Sequence, residues 1–363
     1  MALGLLVSIG IIMVYSATAV ESELRDLIKL GVGLVLGVGL LVLTYHSTEK
    51  QLRGVTRFFL YVCIAALAAL LWRSAPYAVT VNGATRWIGV KGLVTLQPSE
   101  YAKLAFVLFA AKFLDRYALR MTLQAPRLWG TFLGVLAVLG ALIYKEPDLG
   151  TALVLGGTAF CMLLVAGIDW KILGAGIVVV GVVVFLLAWT TEHQRVRLEA
   201  WWNPWAQEYR REGGHQVIQS WAALAHGGWK GVGLGQSTHK LDNRLPESET
   251  DFIFAIVGEE LGVVRAVGVV ALFGILAWRG FAIAVRAPTR YQGFVAAGIT
   301  AWVAVQSTLN IAVVTGTVPN TGVPLPFISS GLSSLTALLA AGGIVAGISR
   351  RTRSPQQLVT PER

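Results

Sequence analysis

Residues 151–190 read TALVLGGTAF CMLLVAGIDW KILGAGIVVV GVVVFLLAWT. Two apolar runs, 151–168 and 171–190, meet at a short link, and only Asp169 and Lys171 carry charge in the whole stretch. Each run approaches the ~20 residues an α-helix needs to cross a bilayer. A helix on the surface of a soluble protein keeps a polar face, and neither run has one. Two adjacent spans joined by a tight turn fit the pattern. Helices satisfy their own backbone polar groups, which hydrocarbon requires.

The pattern recurs outward. Further apolar runs lie near 2–19, 26–45, 57–73, 98–115, 128–144, 252–278, 292–315 and 332–348. The expected fold class is therefore an all-α polytopic membrane protein with about ten transmembrane helices. Of 363 residues, 30 are Lys or Arg and 20 are Asp or Glu, so 14% are charged. An average soluble domain carries roughly 25%. Hydrophobic residues reach 55% and the mean hydropathy is +0.64. These values exclude a disordered chain, a coiled coil and an ordinary cytosolic enzyme. The net charge of +10 fits cationic cytoplasmic loops better than nucleic-acid binding. Cys63 and Cys161 sit in apolar runs and imply neither a disulfide nor a metal site. The first run has a signal-peptide alternative, because Ala17-Thr18-Ala19 resembles a cleavage site, but no basic residue precedes it.

Loop charge sets the orientation. Lys50, Arg53 and Arg57, then Arg116, Arg120 and Arg127, then Arg279, Arg286 and Arg290, and finally Arg350, Arg351 and Arg353 mark alternate links. The positive-inside rule places these links and both termini in the cytoplasm. The long segment 191–251 then falls outside as a large loop between helices 7 and 8. One transmembrane domain over 1–349, with a short polar tail at 350–363, is the expected organisation. No broken helix or inverted repeat is visible in the sequence.

Three segments on the outer side, 82–100, 194–262 and 316–334, are polar and rich in Gly and Pro. Irregular backbone near a membrane is tolerated where it lines a cavity, so an extracytoplasmic cavity is expected. Asp251 is the foremost catalytic candidate, at the point where a polar loop enters an apolar helix. Desolvation there would raise a carboxylate toward the range of a general base. The plain alternative is a helix cap by Thr250 or Asp251. Glu259 and Glu260 lie further along the same run; on a regular helix Glu259 stands about 80° round and roughly 12 Å along from Asp251. Intramembrane acids are functional candidates, although an ion pair or packing contact explains them equally. Pro98 reads as a first-turn proline, so Glu100 starts the fourth helix and Lys103 can pair with it at i,i+3. That pair either forms an intrahelical salt bridge or shapes a polar site near Asp251.

Arg86, Arg195, Arg197 and Lys240 are candidate phosphate-binding cations, with solvated loop charges as the alternative. Gly227, Gly228, Gly231, Gly233 and Gly235 lack the strand–turn–helix context of a phosphate loop and read as a tight turn or close packing. No spacing resembles a zinc site, and His46, His193, His215, His226 and His239 suggest no ligand pair. A serine nucleophile elbow is absent.

Several stretches together resemble the SEDS family (shape, elongation, division and sporulation) of cell-wall glycosyltransferases. They are Met13-Val14-Tyr15-Ser16-Ala17, Asn82-Gly83-Ala84 with Arg86-Trp87-Ile88, and Gln97-Pro98-Ser99-Glu100 with Lys103. Pro147-Asp148-Leu149-Gly150-Thr151, Gln216-Val217-Ile218-Gln219-Ser220 and the Gly231–Gly235 stretch add to them. The most specific are Leu245-Pro246-Glu247 with Thr250-Asp251-Phe252-Ile253-Phe254-Ala255, and Gly258-Glu259-Glu260-Leu261-Gly262. Thr321-Gly322-Val323-Pro324-Leu325-Pro326-Phe327-Ile328-Ser329 completes the set. Three positions depart from the usual pattern: Glu146 stands where the family often has Gln, Glu249 where it often has His, and Ser330-Gly331-Leu332-Ser333-Ser334 replaces Tyr-Gly-Gly-Ser-Ser.

The resemblance implies ten spans, a large outer loop between helices 7 and 8, and polymerisation of lipid II into glycan strands. It carries the family's essential aspartate onto Asp251 and its helix-four pair onto Glu100 and Lys103. It implies a class B penicillin-binding transpeptidase and other divisome or elongasome membrane proteins as partners, and no nucleic acid. No cofactor is firmly indicated; a divalent cation such as Mg2+ is the candidate. Asn203-Pro204-Trp205, Gly235-Gln236-Ser237 and Val81-Asn82-Gly83 look division-type, whereas the short N-terminus looks elongation-type. The rival readings are a lipid II flippase and a scaffold that only recruits the transpeptidase.

Overall fold

The computed structural model describes residues 1–18, 24–72, 75–81, 84–89, 95–121, 125–208, 213–241 and 244–352. Asn82 and Gly83 of the quoted motif, Arg210, Arg211 and Asp242 of the outer loop, and the tail from 353 lie outside these residues.

Each of the ten apolar runs becomes a helix. They are α1 (Ala2–Thr18), α2 (Leu24–Tyr45), α3 (Glu49–Leu70), α4 (Pro98–Tyr117), α5 (Pro126–Lys145), α6 (Leu149–Val165) and α7 (Trp170–Thr190). After the polar segment, where α8 and α9 lie, come α10 (Ile253–Val285), α11 (Arg290–Val314) and α12 (Leu332–Arg350). Of these, α3, α5, α10, α11 and α12 are long and apolar enough to cross a bilayer, and α1, α6 and parts of α2 and α7 are shorter apolar helices. Along α7, Ile177, Val178, Val179, Val182, Val183 and Phe185 are exposed, as a surface bathed in lipid would be.

Four features differ from the sequence expectation. The segment 191–251 is a folded region rather than a simple loop, with α8 (Glu192–Trp202) and α9 (Gly213–Gly227) inside it. The segment before α4 is not wholly irregular. Its β-branched and aromatic residues form an antiparallel sheet of β1 (Ala78–Val81), β2 (Ala84–Gly89) and β3 (Thr95–Leu96). The Thr80 and Thr85 hydroxyls bond across it at 2.8 Å. Third, α10 extends to Val285, so Arg279 lies on a helix and not in a link. Fourth, α10 is broken at Gly262, whose φ of 79° only glycine adopts without strain.

The chain divides into two compact units. The first comprises 1–30, 170–274 and 306–331, the second 31–169, 275–305 and 332–363. The first unit resolves the break in α10. The carbonyls of Glu259 and Glu260 accept the N–H groups of Val232 (2.9 Å) and Gly233 (3.1 Å), and Val263 N–H donates to the Gly228 carbonyl (2.9 Å). The glycine-rich stretch therefore runs along α10 and satisfies the groups the break frees. A side chain at Gly227 or Gly231 would collide with that backbone. This is the close packing expected of those glycines.

In the second unit, α4 is enclosed over 14 of its 20 residues. Phe106 and Phe113 both pack on Phe132 of α5, with ring centroids 5.9 Å and 5.7 Å away. Gly298 on α11 lets Val107 and Met162 approach; an added Cβ would lie 2.7 Å and 2.8 Å from them. Gly37, Gly343 and Gly347 do the same between α2 and α12. Small residues at helix contacts are the usual packing device where water cannot drive association.

Candidate functional site

Asp251 lies half-buried in the turn that precedes α10. Glu247 shapes this turn by adopting φ +57°, uncommon for a non-glycine residue. Its carbonyl accepts the N–H groups of Thr250 and Phe252, both at 3.1 Å. Two contacts then tie the turn to residues 316–331. Ser329 Oγ donates to the Thr250 carbonyl at 2.6 Å, and Ser330 N–H donates to the Glu249 carbonyl at 2.9 Å. Asn310 on α11 bridges the same two segments, donating from Nδ2 to the carbonyls of Asp251 (2.7 Å) and Val323 (2.8 Å). Gln306, one turn earlier, donates to the Pro324 carbonyl at 2.9 Å.

Gly322 faces the aspartate. It adopts φ +70°, and a side chain there would begin 3.5 Å from Asp251 Oδ2. Its N–H donates to Asn320 Oδ1 (3.0 Å), and the Asn320 carbonyl accepts from Arg197 at 3.5 Å. Trp201 Nε1 donates to the Gly316 carbonyl at 2.7 Å. Thus α8 brings Arg197 to the loop that borders Asp251. Arg195, two residues earlier, pairs with Glu199 at 2.8 Å on an exposed helix face.

The other first-unit candidates form a separate polar cluster. Glu260, fully buried, accepts from Lys240 Nζ at 2.8 Å and from Ser16 Oγ at 2.7 Å; the same Nζ donates to the Ser16 carbonyl at 3.0 Å. Lys240, expected among the phosphate binders, is instead committed to this ion pair, with its side chain 1% exposed. Glu259 is also fully buried and accepts from Ser237 Oγ, Thr238 N–H (3.1 Å), His226 Nδ1 (2.8 Å) and His239 Nδ1 (2.8 Å). Both acids therefore have their own partners. His226 and His239 converge on Glu259 Oε1, although the sequence suggested no ligand pair among the histidines. Thirteen residues separate them in sequence, and only the folding of the glycine stretch brings them together.

In the second unit, Glu100 opens α4 behind Pro98, and Lys103 Nζ reaches its Oε1 at 2.8 Å. Both side chains are 2% exposed, and Glu100 Oε2 has no partner. The Lys103 ammonium also lies 5.1 Å from the Trp302 ring centre. Arg86 on β2 was expected to bind phosphate. It donates to the carbonyls of Glu146 (Nε, 2.9 Å) and Pro147, capping the end of α5. Beside it, Glu146 is 2% exposed with neither carboxyl oxygen partnered. Burial, aided by neighbouring Asp148 and opposed by Arg86, pushes this carboxyl up to about 9. Asp148 caps α6, its Oδ1 accepting Thr151 N–H at 3.0 Å, while its Oδ2 accepts from Gln97 Nε2 at 3.3 Å.

Sequence reasoning missed four of these residues. Gln306 and Asn310 had a usable signal, since two amides four apart share one face of an apolar helix. Ser16 stood in a quoted family stretch and His226 among the histidines, but their partners lie hundreds or tens of residues away and their roles could not be read locally.

Ten apolar helices, with a carboxylate held at the mouth of one by a Pro-rich loop, define a polytopic membrane protein with a polar site at a helix entrance. Residues 1–354 match the profile of the cell cycle protein family FtsW/RodA/SpoVE. Stage V sporulation protein E of Bacillus subtilis is 39% identical over 96% of this chain and 95% of its own length. A probable peptidoglycan glycosyltransferase FtsW of Geobacter metallireducens is 35% identical over 95% of this chain and 92% of its own length. Among solved structures, a chain from a peptidoglycan synthase complex that coordinates polymerization and crosslinking has a TM-score of 0.78 at 27% identity. RodA of Thermus thermophilus has a TM-score of 0.69 at 26% identity. Each structural match covers 97% of this chain and 96% of the other. The chain belongs to the FtsW/RodA/SpoVE family and is a multi-pass membrane glycosyltransferase.

Proposed function

We propose that the protein polymerises lipid II into glycan strands at the outer face of the cytoplasmic membrane, with Asp251 as general base. The acceptor hydroxyl oxygen attacks the donor's anomeric carbon as its bond to the diphosphate breaks. The lipid diphosphate leaves with the bonding electrons, and Asp251 takes the hydroxyl proton. The observation that carries this reading is the construction around Asp251. A strained turn, a bridging amide and a glycine facing Oδ2 fix the carboxylate where loop meets helix. Arg197 is the cation best placed to meet the departing diphosphate, because α8 holds it beside the same loop.

A divalent cation such as Mg2+ would be held by one or two carboxylates together with the substrate's diphosphate oxygens. No step is routed through it. The cytoplasmic placement of both termini rests on loop charge. The transpeptidase partner rests on family membership, and a division-type role on the FtsW relatives at 34–36% identity.

The test is polymerisation of purified lipid II by the full chain with its transpeptidase partner. Asp251→Asn is expected to lower the rate by about 10²–10⁴-fold, the range for loss of a general base. Polymer yield equal to wild type would refute the mechanism. A flippase is the second reading, since a broken helix such as α10 is a transporter feature. Here the chain's own glycine stretch fills the break, which disfavours it. Lipid II translocation in proteoliposomes without polymer would reverse that preference.

A further inference from the structure

We propose that His226, His239 and Glu259 form a binding site for a divalent transition-metal ion of the zinc class, separate from the site at Asp251. The three ligand atoms lie within 4.8 Å of one another. They come from three elements: the end of α9, the loop that follows the glycine stretch, and α10 ahead of its break. Two imidazole nitrogens and one carboxylate oxygen are the donor set of many open zinc sites. Such mixed nitrogen and oxygen sites select borderline metals over Mg2+ or Ca2+.

The geometry needs little adjustment. Both Nδ1 atoms sit 2.8 Å from Glu259 Oε1. Ligand bonds of about 2.0–2.1 Å in a tetrahedral shell put donor atoms about 3.3 Å apart, so each Nδ1–Oε1 pair opens by roughly 0.5 Å, and the two imidazole nitrogens, within 4.8 Å of each other, adjust to the same spacing. The imidazole rings already lie edge to face, 5.9 Å between centres. The supporting shell is present: Ser237 Oγ holds Oε2, and Thr238 N–H reaches Oε1 at 3.1 Å. Such contacts fix a ligating carboxylate and sharpen affinity. One side of the site is open, because the His226 side chain is 48% exposed while Glu259 is fully buried. An entering ion has a path, and a water can complete its shell. The neighbouring Lys240 is neutralised by Glu260 and does not repel the cation. Bound metal would staple α9, the loop and α10 at the place where the helix is interrupted.

The experiment uses full-length protein purified through a tag without histidines and stripped with a chelator. Zn2+ is titrated calorimetrically and Co2+ by absorbance. The expected result is one equivalent bound, with the intense visible bands of tetrahedral cobalt. His226→Asn with His239→Asn keeps an amide donor near each Nδ1 position but removes both imidazoles. It is expected to weaken Zn2+ binding by at least ~100-fold, more than second-shell losses alone cause. Metal-free wild type and variant should melt together, which separates loss of ligands from misfolding. Failure of wild type to bind Zn2+, or equal binding by the variant, would overturn the proposal. Either outcome leaves the reading of Asp251 untouched.

Discussion

Replacing Glu146 with glutamine removes a titration from a buried position without changing its shape. The residue sits in the link between α5 and α6, where both carboxyl oxygens are buried without partners. Its carboxyl is pushed up to about 9 from an ordinary value of 4.5, so at neutral pH the folded protein keeps it protonated. Unfolded, the same group ionises. Below pH 4.5 both states hold the proton and the shift has no effect. Between 4.5 and 9 the unfolded state gains stability from ionising, so native stability falls as pH rises, and it levels off above 9. At pH 7 the difference spans 2.5 pH units from 4.5, which at ~1.4 kcal/mol each is at most about 3.5 kcal/mol. Glutamine has the neutral acid's shape and no such cost. Thermal melts of wild type and Glu146→Gln in detergent, from pH 4.5 to 9, should start together and separate as pH rises, with the variant more stable. A pH-independent gap, or a less stable variant at pH 8, would refute the reasoning.

Other substitutions test the framework around the two polar sites. Lys240→Met should destabilise by about 3–5 kcal/mol by leaving Glu260 charged, buried and deprived of its ion-pair partner, and adding Glu260→Gln should recover most of it in unfolding measurements. Gly231 and Gly235 both have positive φ, but only a side chain at Gly231 collides, with the α10 backbone. Gly235→Ala should cost about 1–2 kcal/mol and Gly231→Ala clearly more. Asn310→Ala strips hydrogen bonds from two carbonyls and should cost about 1–3 kcal/mol for each buried group left unsatisfied. It should also slow polymerisation without removing Asp251, an effect visible as a drop in rate at unchanged protein yield.

How much of this was legible depended on the range of the interaction. Hydrophobic run length is a local quantity, and all ten runs became helices because hydrocarbon leaves the backbone no alternative. The Glu100–Lys103 pair was equally local, three residues apart on one helix. The antiparallel strands at 78–81 and 84–89 have a local signal, since Ala78-Val79-Thr80-Val81 carries β-branched residues, but long apolar runs dominate the hydropathy pattern and a four-residue strand does not stand out in it. The break at Gly262 could not be read from its own neighbourhood. A glycine inside an apolar run is common, and what makes this one a break is the stretch from Gly227 to Gly233 that supplies its hydrogen bonds. Lys240 was misread for the same reason: its partners are Glu260, twenty residues on, and Ser16, at the other end of the chain.

Acids in apolar helices were singled out because charge is costly there, yet cost alone does not separate function from structure. Glu260 is offset by an ammonium and a hydroxyl, Glu259 by two imidazoles, a hydroxyl and a backbone amide. Glu100 has an ammonium on one oxygen and nothing on the other. In each case the surrounding residues are spent on the acid. Asp251 stands out by how its main chain is held. The surrounding residues hold the backbone: Asn310 takes its carbonyl, Ser329 takes that of Thr250, and Ser330 takes that of Glu249. Gly322, at φ +70°, lies against the carboxylate. Holding three successive carbonyls fixes where the carboxylate stands at the entrance of α10, half-buried where Glu259 and Glu260 are enclosed, which is why Asp251 and not its more deeply buried neighbours is assigned the proton transfer.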